Sequence, residues 1–558
     1  MRADELDRLL GDPWDDGNPV GYAGVLAADE RQEMHAEGER LLDRAVFNAE
    51  FVPAAHGGRL TRADRLAELL GTLWRRDPCL GLGYGFSSFI ASVNIWTSGS
   101  TEQQHQVAQL LLANKRIAAA FHELDHGNDF ARVEAAAHPV DGGWLLSGRK
   151  EIVTNLRRAE AMVLFARTSD TAGSRSHSQF LVTRDGLPAD RVRDLPRFGS
   201  SGMRGVDLGG AEFTDCPLPA GALIGGLGAG MEIALRSYQI TRAVFPVMFI
   251  GPLDTALRTV LDCALHRRLY GGAVADIPYV RSVVARAFAD LLAADAYAAV
   301  GLRALHLAPE VMGVFAPAAK YLATRILLDS FHDLRSVLGA NAYLREGRYA
   351  IFQKMARDVA PATFAHVSRA ACLVMLLPQL PRLARRSWQV DPSAPGELFD
   401  LGADLPPLRL DRLVAGMPKH DGVMGALTEI AEQEPPDGLV GRFAMRFVGE
   451  LWTLRAQCAA LGPADLTIDA SPAAFALADR YTVVLGAACA LAVWRRGGDR
   501  YPADALIGVL DRLNDRLGGP PVLTETEREG VQGHLFDLAV QRYRDRRLFD
   551  LTARRIPG

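Results

Sequence analysis

Several side chains could take part in binding anions or in transferring protons. The amide of Asn128 can donate a hydrogen bond to an anionic oxygen. Arg267 carries a permanent charge and a planar fork of donors that suits phosphate groups. His366 can exchange a proton near neutral pH, although a histidine in a mostly apolar segment is also commonly a packed or capping residue. Glu123 and Asp125 are further candidate acids.

Metal and disulfide chemistry is not indicated by the cysteines. All six are single, without a CxxC pair or a histidine at metal-ligand spacing: Cys79, Cys216, Cys263, Cys372, Cys458 and Cys489. We therefore expect no metal ion and interpret the cysteines as reduced thiols in the core of a cytoplasmic protein.

Length and composition are typical of a globular protein with more than one domain. The 558 residues exceed what one hydrophobic core usually serves.

A net charge of −4 gives no overall field to attract nucleic acid. The charged N-terminus lacks the apolar stretch of a secretory signal. The most apolar window, Val483–Trp494, is shorter than the about 20 residues that span a bilayer. We expect a buried helix there, no membrane span and no nucleic-acid partner.

The spacing of apolar residues divides the chain into helical and strand-rich parts. Residues 1–118 have helical spacing. Residues 119–232 carry short β-like runs between Gly, Asp and Pro turns, as at 162–166 and 179–182. Helical spacing returns over residues 233–389. This pattern predicts a mainly α fold with a small β domain between two helical domains.

Two further regions follow this α-β-α part. Residues 390–409 concentrate Pro, Gly and Asp without periodicity, which predicts a linker or a surface strap. Residues 410–558 are predicted to form a C-terminal helical region. Its amphipathic segments are 421–434, 437–461, 472–495, 502–517 and 523–549.

Seven motifs, in order, resemble those of the acyl-CoA dehydrogenase family. They are FHELDHGND (121–129), GGWLLSGRKEIVTN (142–155), GMRGVD (202–207), FTDCPLP (213–219), GAGM (228–231), LHRRLYG (265–271) and VLGANAY (337–343). Chance alignment of so many motifs in order is improbable. The resemblance implies an acyl-CoA dehydrogenase-like α-β-α core, and the C-terminal helical region resembles the extension of acyl-CoA oxidases.

The resemblance implies an FAD cofactor. Phe121, His122 and Glu123 would meet the pyrimidine edge of the flavin ring, and the Thr154 hydroxyl would approach its N5 atom. Asn128 stands in the place of a family serine that serves the phosphates. The alternative for the other four residues is ordinary packing at strand ends.

A second set of residues is expected to contact the cofactor, and in the family the arginine among them reaches the FAD of a neighbouring subunit. Arg267 falls where the family sends a guanidinium to the pyrophosphate, with Tyr270 in the same motif. Gly339 and Ala340 would let the backbone approach closely. This implies a homodimer or homotetramer, unless Arg267 is a plain surface arginine. Ile152 replaces a flavin-stacking tryptophan, which could alter the affinity or orientation of the cofactor.

The sequence departs from the family at the catalytic base. The family glutamate corresponds to His366, and its alternative position corresponds to Thr241. His366 could remove the α-proton of a thioester, or it could be a packed or capping residue. Glu123 and Asp125 are fallback acids that would more readily order the loop. Ser368 keeps the hydroxyl of a family threonine that contacts the cofactor.

The expected function is FAD-dependent α,β-dehydrogenation of an acyl thioester carried by CoA or by a carrier protein. An electron-transfer protein or oxygen would accept the electrons. Two alternatives stay open because the glutamate is absent: a flavin-dependent oxygenase or redox enzyme with a non-thioester substrate, and a non-catalytic scaffold. The residues suited to phosphate binding argue against the scaffold.

Overall fold

The computed structural model describes residues 1–171, 173–388, 394–416, 421–498 and 501–557. It divides into two compact units. The first comprises Met1–Thr241 and Leu408–Ala415, and the second comprises Arg242–Pro407 and Gly416–Gly558. The helices and strands of these units confirm a mainly α fold with a small β domain.

The first unit begins with helices. They are α1 (Ala3–Leu10), α2 (Tyr22–Arg31), α3 (Ala36–Arg44), α4 (Ala63–Arg76), α5 (Pro78–Leu80), a π-helix (Gly81–Phe86), α6 (Ser87–Ser98) and α7 (Thr101–Leu112). The leucines of α4 at helical spacing, Leu66, Leu69, Leu70 and Leu73, are all buried. This confirms that their spacing marks the face turned to the core.

An eight-stranded sheet follows these helices. Its strands are β1 (Ile117–Ala120), β2 (Ala136–Val140), β3 (Gly143–Thr154), β4 (Ala161–Arg167), β5 (His177–Thr183), β6 (Val192–Leu195), β7 (Leu208–Pro219) and β8 (Leu223–Ile224). The order is β6-β7-β3-β2-β4-β5-β8, with β1 parallel to β4. The predicted runs at 162–166 and 179–182 are confirmed as parts of β4 and β5.

Two elements begin slightly before their predicted positions. Strand β1 starts at Ile117, before residue 119, because its sequence Ile-Ala-Ala-Ala has little β propensity to reveal it. The helix α8 (Gly230–His266) starts before residue 233. The domain boundaries themselves stay predictions.

The second unit contains the end of α8 and the remaining helices. After the hairpin β9 (Arg268–Leu269) and β10 (Gly272–Ala273), these are α9 (Pro278–Leu307), α10 (Met312–Leu338), α11 (Ala350–Asp358), α12 (Arg369–Leu376), α13 (Leu380–Arg386), α14 (Gly422–Gln433), α15 (Leu439–Ala459), α16 (Pro472–Gly497), α17 (Ala503–Leu517) and α18 (Glu525–Arg544). Each of the five amphipathic segments predicted near the C-terminus coincides with one helix, from α14 to α18, and α16 runs two residues past its segment.

The predicted linker is only partly described. Residues 390–393 lie outside the described residues, and 394–409 contain one short 3-10 turn, Gly396–Leu398. From Leu408 the chain belongs to the first unit, where the Leu408 amide donates to the carbonyl of Thr61 at 2.8 Å.

The C-terminal helices share a core with α9. The carboxylate of Asp290 on α9 is 1% exposed and accepts hydrogen bonds from Arg512 on α17 at 2.8 and 3.1 Å. Ser330 on α10 donates to the same carboxylate at 3.1 Å. Phe288 lies edge-on to Phe549, with ring centroids 5.8 Å apart. The helices of the C-terminal region therefore contribute to this unit's interior.

Three helical segments in the described residues are long and apolar enough to cross a membrane: Gly230–His266, Pro309–Ala342 and Pro472–Gly497. The window Val483–Trp494 therefore understates the length of the apolar helix, because it covers only part of Pro472–Gly497. Their apolar windows are 94%, 78% and 78% buried inside the protein. The absence of a membrane span stays a prediction.

Replacing Asp290 with alanine should lower the free energy of unfolding by about 3 kcal/mol, because Arg512 would lose its buried partner. Denaturant unfolding measures this loss. The control is Asp479→Ala, which breaks the partly exposed Arg325–Asp479 ion pair (2.6 Å) between α10 and α16. It should cost less than about 1 kcal/mol, and equal losses would contradict a shared core.

Candidate functional site

The structure places the predicted site residues in both units. Six lie in the first unit: Phe121, His122, Glu123, Asn128, Ile152 and Thr154. Six lie in the second: Arg267, Tyr270, Gly339, Ala340, His366 and Ser368. The role assigned to each of them stays a prediction.

A buried ion pair anchors the loop that follows β1. The fully buried Lys150 on β3 donates from Nζ to Glu123 Oε1 at 2.8 Å and to the carbonyl of Phe121 at 3.2 Å. The Glu123 carboxylate also accepts from the amides of Glu134 and Ala135, at 2.8 and 3.0 Å. Four hydrogen bonds thus tie this loop to β3 and to the segment before β2.

The same contacts decide what Glu123 can do. Burial lowers the pKa of Lys150 to about 8. Burial opposes ionisation of Glu123, but the charge and hydrogen bond of Lys150, together with the Glu134 and Ala135 amides, outweigh it and hold the pKa of that carboxyl below its usual value. Glu123 is therefore a poor proton donor at neutral pH, and its geometry fits the loop-ordering role expected of it.

Aromatic rings pack around Phe121. Its ring lies 5.3 Å from that of Phe165 in a stacked arrangement, and 5.6 Å from that of Tyr238.

Burial lowers the pKa of His122, while its contact with the Asn128 side chain partly opposes that change. The side chain of Asn128 therefore lies near His122, and the imidazole of His122 favours the neutral form.

The end of β3 has an unusual backbone. The pairing with β7 shifts register between Lys150 and Val153, and Ile152 in this bulge has a φ of +56°. A β-branched residue rarely adopts this left-handed conformation. Thr154 follows on the strand, half-buried, and its hydroxyl forms no hydrogen bond within the described residues. The strand end thus presents an available hydroxyl.

Asn155 fixes this strand end. It is buried, with a φ of +60°, and its side-chain amide donates to the Gly83 carbonyl of the π-helix at 2.5 Å and to Ser87 Oγ at 3.0 Å. A π-helix leaves backbone carbonyls free to accept such bonds and often marks functional positions. The position of Thr154 is therefore set by its neighbour.

In the second unit, Arg267 and Tyr270 lie on an exposed surface after α8. Tyr270 is 97% exposed, and Arg267 forms no ion pair with an acidic side chain in the described part of the chain. Gly339 has a φ of +58°, with open space above it, and Ala340 is also exposed. These residues are available to a group from outside the chain.

Contacts around Cys263 bring these two segments together. Burial raises the pKa of this thiol, while the charge of Arg267 and contacts with Tyr349 and Asn341 oppose the rise. Arg348 pairs with Asp262, the residue before Cys263, at 2.6 and 2.8 Å. The end of α8 and the segment after α10 therefore lie close together at Cys263.

His366 and Ser368 lie in the turn before α12. The His366 ring is half-buried and stacks on Phe245 with centroids 6.3 Å apart. The Ser368 hydroxyl accepts from the Ala371 amide at 3.1 Å and caps α12. Ser368 thus has a structural role in addition to the one predicted, and His366 keeps its imidazole beside an aromatic ring.

Three residues that position the site were not assigned from the sequence: Lys150, Asn155 and Lys320. Lys150 follows Leu146 and Gly148 at the spacing of one strand face, so its place in the core could have been found. Lys320 is the only lysine in the apolar helix α10, and lysines are almost never fully buried unless paired. Asn155 gave no comparable signal.

Two family models match this chain. Residues 118–216 match the middle domain of acyl-CoA dehydrogenase, and residues 228–366 match its C-terminal domain. The first match contains the loop and strand end around Thr154. The second runs from before Arg267 to His366.

Two proteins with similar sequences are also dehydrogenases. The chain is 25% identical to mitochondrial isovaleryl-CoA dehydrogenase from Solanum tuberosum over 277 residues, 49% of this chain and 65% of that protein. It is 28% identical to the L-prolyl-[peptidyl-carrier protein] dehydrogenase of a Serratia strain over 236 residues, 41% of this chain and 60% of that protein. The chain thus spans between half and two thirds of these relatives.

A solved structure shares the fold. The FAD complex of PigA superposes with a TM-score of 0.60 at 20% identity, covering 68% of this chain and 96% of that one.

Replacing Glu123 with glutamine should destabilise the first unit by about 3 kcal/mol, because the buried Lys150 would lose its charged partner. Adding Lys150→Met in the same chain should recover most of the loss, since no unpaired charge remains. Urea unfolding of the two variants measures both effects. A loss of activity at unchanged stability would instead make Glu123 a catalytic acid.

Proposed function

We propose that this chain, whose residues 118–216 and 228–366 match the middle and C-terminal domains of acyl-CoA dehydrogenase, is an FAD-dependent enzyme of that family that dehydrogenates an acyl thioester. The observation that carries this proposal is the position of the site residues within the matched domains. Every predicted site residue except Ser368 lies within residues 118–216 or 228–366.

The residues present suit FAD. The Thr154 hydroxyl is available at the end of a strand that Asn155 fixes. Arg267 offers an exposed guanidinium that pairs with no acidic side chain in the described chain, and a Cβ added at Gly339 would meet nothing within 4 Å. Thr154 would hold the ring and Arg267 the pyrophosphate. When bound, FAD supplies the acceptor for a hydride from the β-carbon.

His366 is the proposed base for the α-proton. Histidine is a common general base in enzymes. Glu123 is unsuited to this step because Lys150 and two backbone amides already bind its carboxylate. Of the acids and bases considered from the sequence, His366 is the one that stacks on an aromatic ring in a half-buried turn.

A second copy of this chain would complete the site. Arg267, Tyr270, Gly339 and Ala340 share an exposed surface, which fits contact with the FAD of a neighbouring subunit. We therefore propose a homodimer or homotetramer. All six cysteines are buried and unpaired, which agrees with a reducing compartment such as the cytoplasm.

The substrate class is tested by titrating the protein under anaerobic conditions. Acyl groups on CoA and on a carrier protein, including branched acyl and prolyl thioesters, should be compared for bleaching of the flavin absorption. The relatives named above support both carriers. A bound flavin that no thioester bleaches would favour an oxygenase or another redox enzyme, and its oxygen consumption with a flavin reductase would then be measured.

Replacing His366 with glutamine should lower kcat for the best thioester by about 10²–10⁴-fold, because glutamine fills similar space but cannot accept the proton. Stopped-flow bleaching measures the step. The flavin content should stay at the wild-type level. An unchanged rate of bleaching would exclude His366 as the base.

Replacing Arg267 with glutamine should weaken FAD binding by about 10–100-fold, through loss of charge-assisted hydrogen bonds to phosphate. Fluorescence titration of the apoprotein measures the affinity, and light scattering measures the subunit number. Arg281→Gln is the control, because Arg281 pairs with Asp537 at 2.9 Å, outside the proposed site. Equal FAD affinity in both variants would make Arg267 a plain surface residue.

A further inference from the structure

The turn that carries His366 is held in an unfavourable backbone conformation. His366 has a φ of +51° and Val367 a φ of +84°. Both values lie in the left-handed region, which is costly for residues with a Cβ and most costly for β-branched valine. Two such residues in succession persist only where the surroundings impose the conformation.

Lys320 supplies that constraint. Its side chain on α10 is fully buried, and its ammonium donates to the carbonyls of Ala365, at 2.7 Å, and Val367. These two carbonyls flank His366. The ammonium also lies 4.7 Å from the centre of the Phe245 ring, on which His366 stacks. One cation thus contacts the backbone on both sides of His366 and the ring that supports it.

In the described part of the chain, Lys320 forms no ion pair with an acidic side chain. Burial lowers its pKa to about 8; the nearby Cys372 opposes this change, and the charges of the Arg242 and Arg369 guanidiniums reinforce it. A buried ammonium in such surroundings depends on carbonyl dipoles and on the aromatic ring. The lysine and the turn therefore stabilise each other.

We propose that Lys320 is the positioning residue for His366: it holds the left-handed turn so that the imidazole stays in the place needed for proton transfer. This inference rests on the proposed function, in which His366 is the base. Displacement of a reacting group by about 1 Å can cost about 10²-fold in rate. Loss of the lysine should therefore act on the chemical step.

The first test compares Lys320→Met and Lys320→Gln with the wild type. Methionine removes both donors, and we expect kcat to fall about 10²-fold with little change in KM. Glutamine keeps an amide that can donate twice, so its loss should be smaller. Arg325→Met is the control, because it removes a cation from the same helix, and it should leave kcat unchanged. Equal losses for methionine and glutamine would contradict the proposal.

The second test separates positioning from general stability. Adding Val367→Gly to Lys320→Met should recover part of kcat, because glycine adopts positive φ without the lysine. A purely structural lysine would show no such recovery. If Lys320→Met does not fold, Lys320→Gln and Lys320→Gln with Val367→Gly provide the same comparison.

The third test does not depend on activity. The rate at which diethyl pyrocarbonate modifies His366, followed by mass spectrometry, should rise in Lys320→Met as the turn loosens. Unchanged modification and unchanged kcat would overturn the proposal. If His366→Gln remains active while Lys320→Met raises the modification rate, the lysine holds the turn but His366 is not the base.

Discussion

The candidate site depends on the rule that a charge buried in protein must find partners. In the first unit, Lys150 meets this rule with Glu123 and the Phe121 carbonyl, and so fixes the loop after β1. In the second unit, Lys320 meets it with the two carbonyls around His366. In both units a buried lysine holds irregular backbone, which has no ladder of hydrogen bonds of its own. The chemistry assigned to the neighbouring side chains therefore rests on residues that do not take part in it.

Much of the fold could be predicted from the sequence because apolar residues recur at a regular spacing in its helices and strands. The leucines of α4 and the short apolar runs of β4 and β5 have the spacing of the elements they form. The five C-terminal helices were visible for the same reason. The predicted start of the β domain, residue 119, falls after the start of β1 at Ile117, because alanine carries little β preference. The buried helix predicted at Val483–Trp494 is confirmed, but that window understates the length of the helix, because a window of the most apolar residues ignores where the helix begins and ends.

The site was less predictable than the fold, because its decisive features are tertiary. That His366 faces Phe245 follows from the approach of α8 to the turn before α12, and no local pattern shows it. The positive φ values of Ile152 and Val367 contradict the local preference of β-branched residues. Such conflicts between local preference and final structure are expected at functional positions, where the rest of the protein imposes the conformation.

The shared core of α9 and the C-terminal helices also bears on how the chain is made. Phe288 and Asp290 leave the ribosome about 220 to 260 residues before their partners Arg512 and Phe549. At about 5–20 residues per second, the apolar side of α9 remains uncovered for roughly 10 to 50 s. During synthesis this helix is a target for chaperones and for aggregation. The second unit can complete its interior only when nearly the whole polypeptide has emerged.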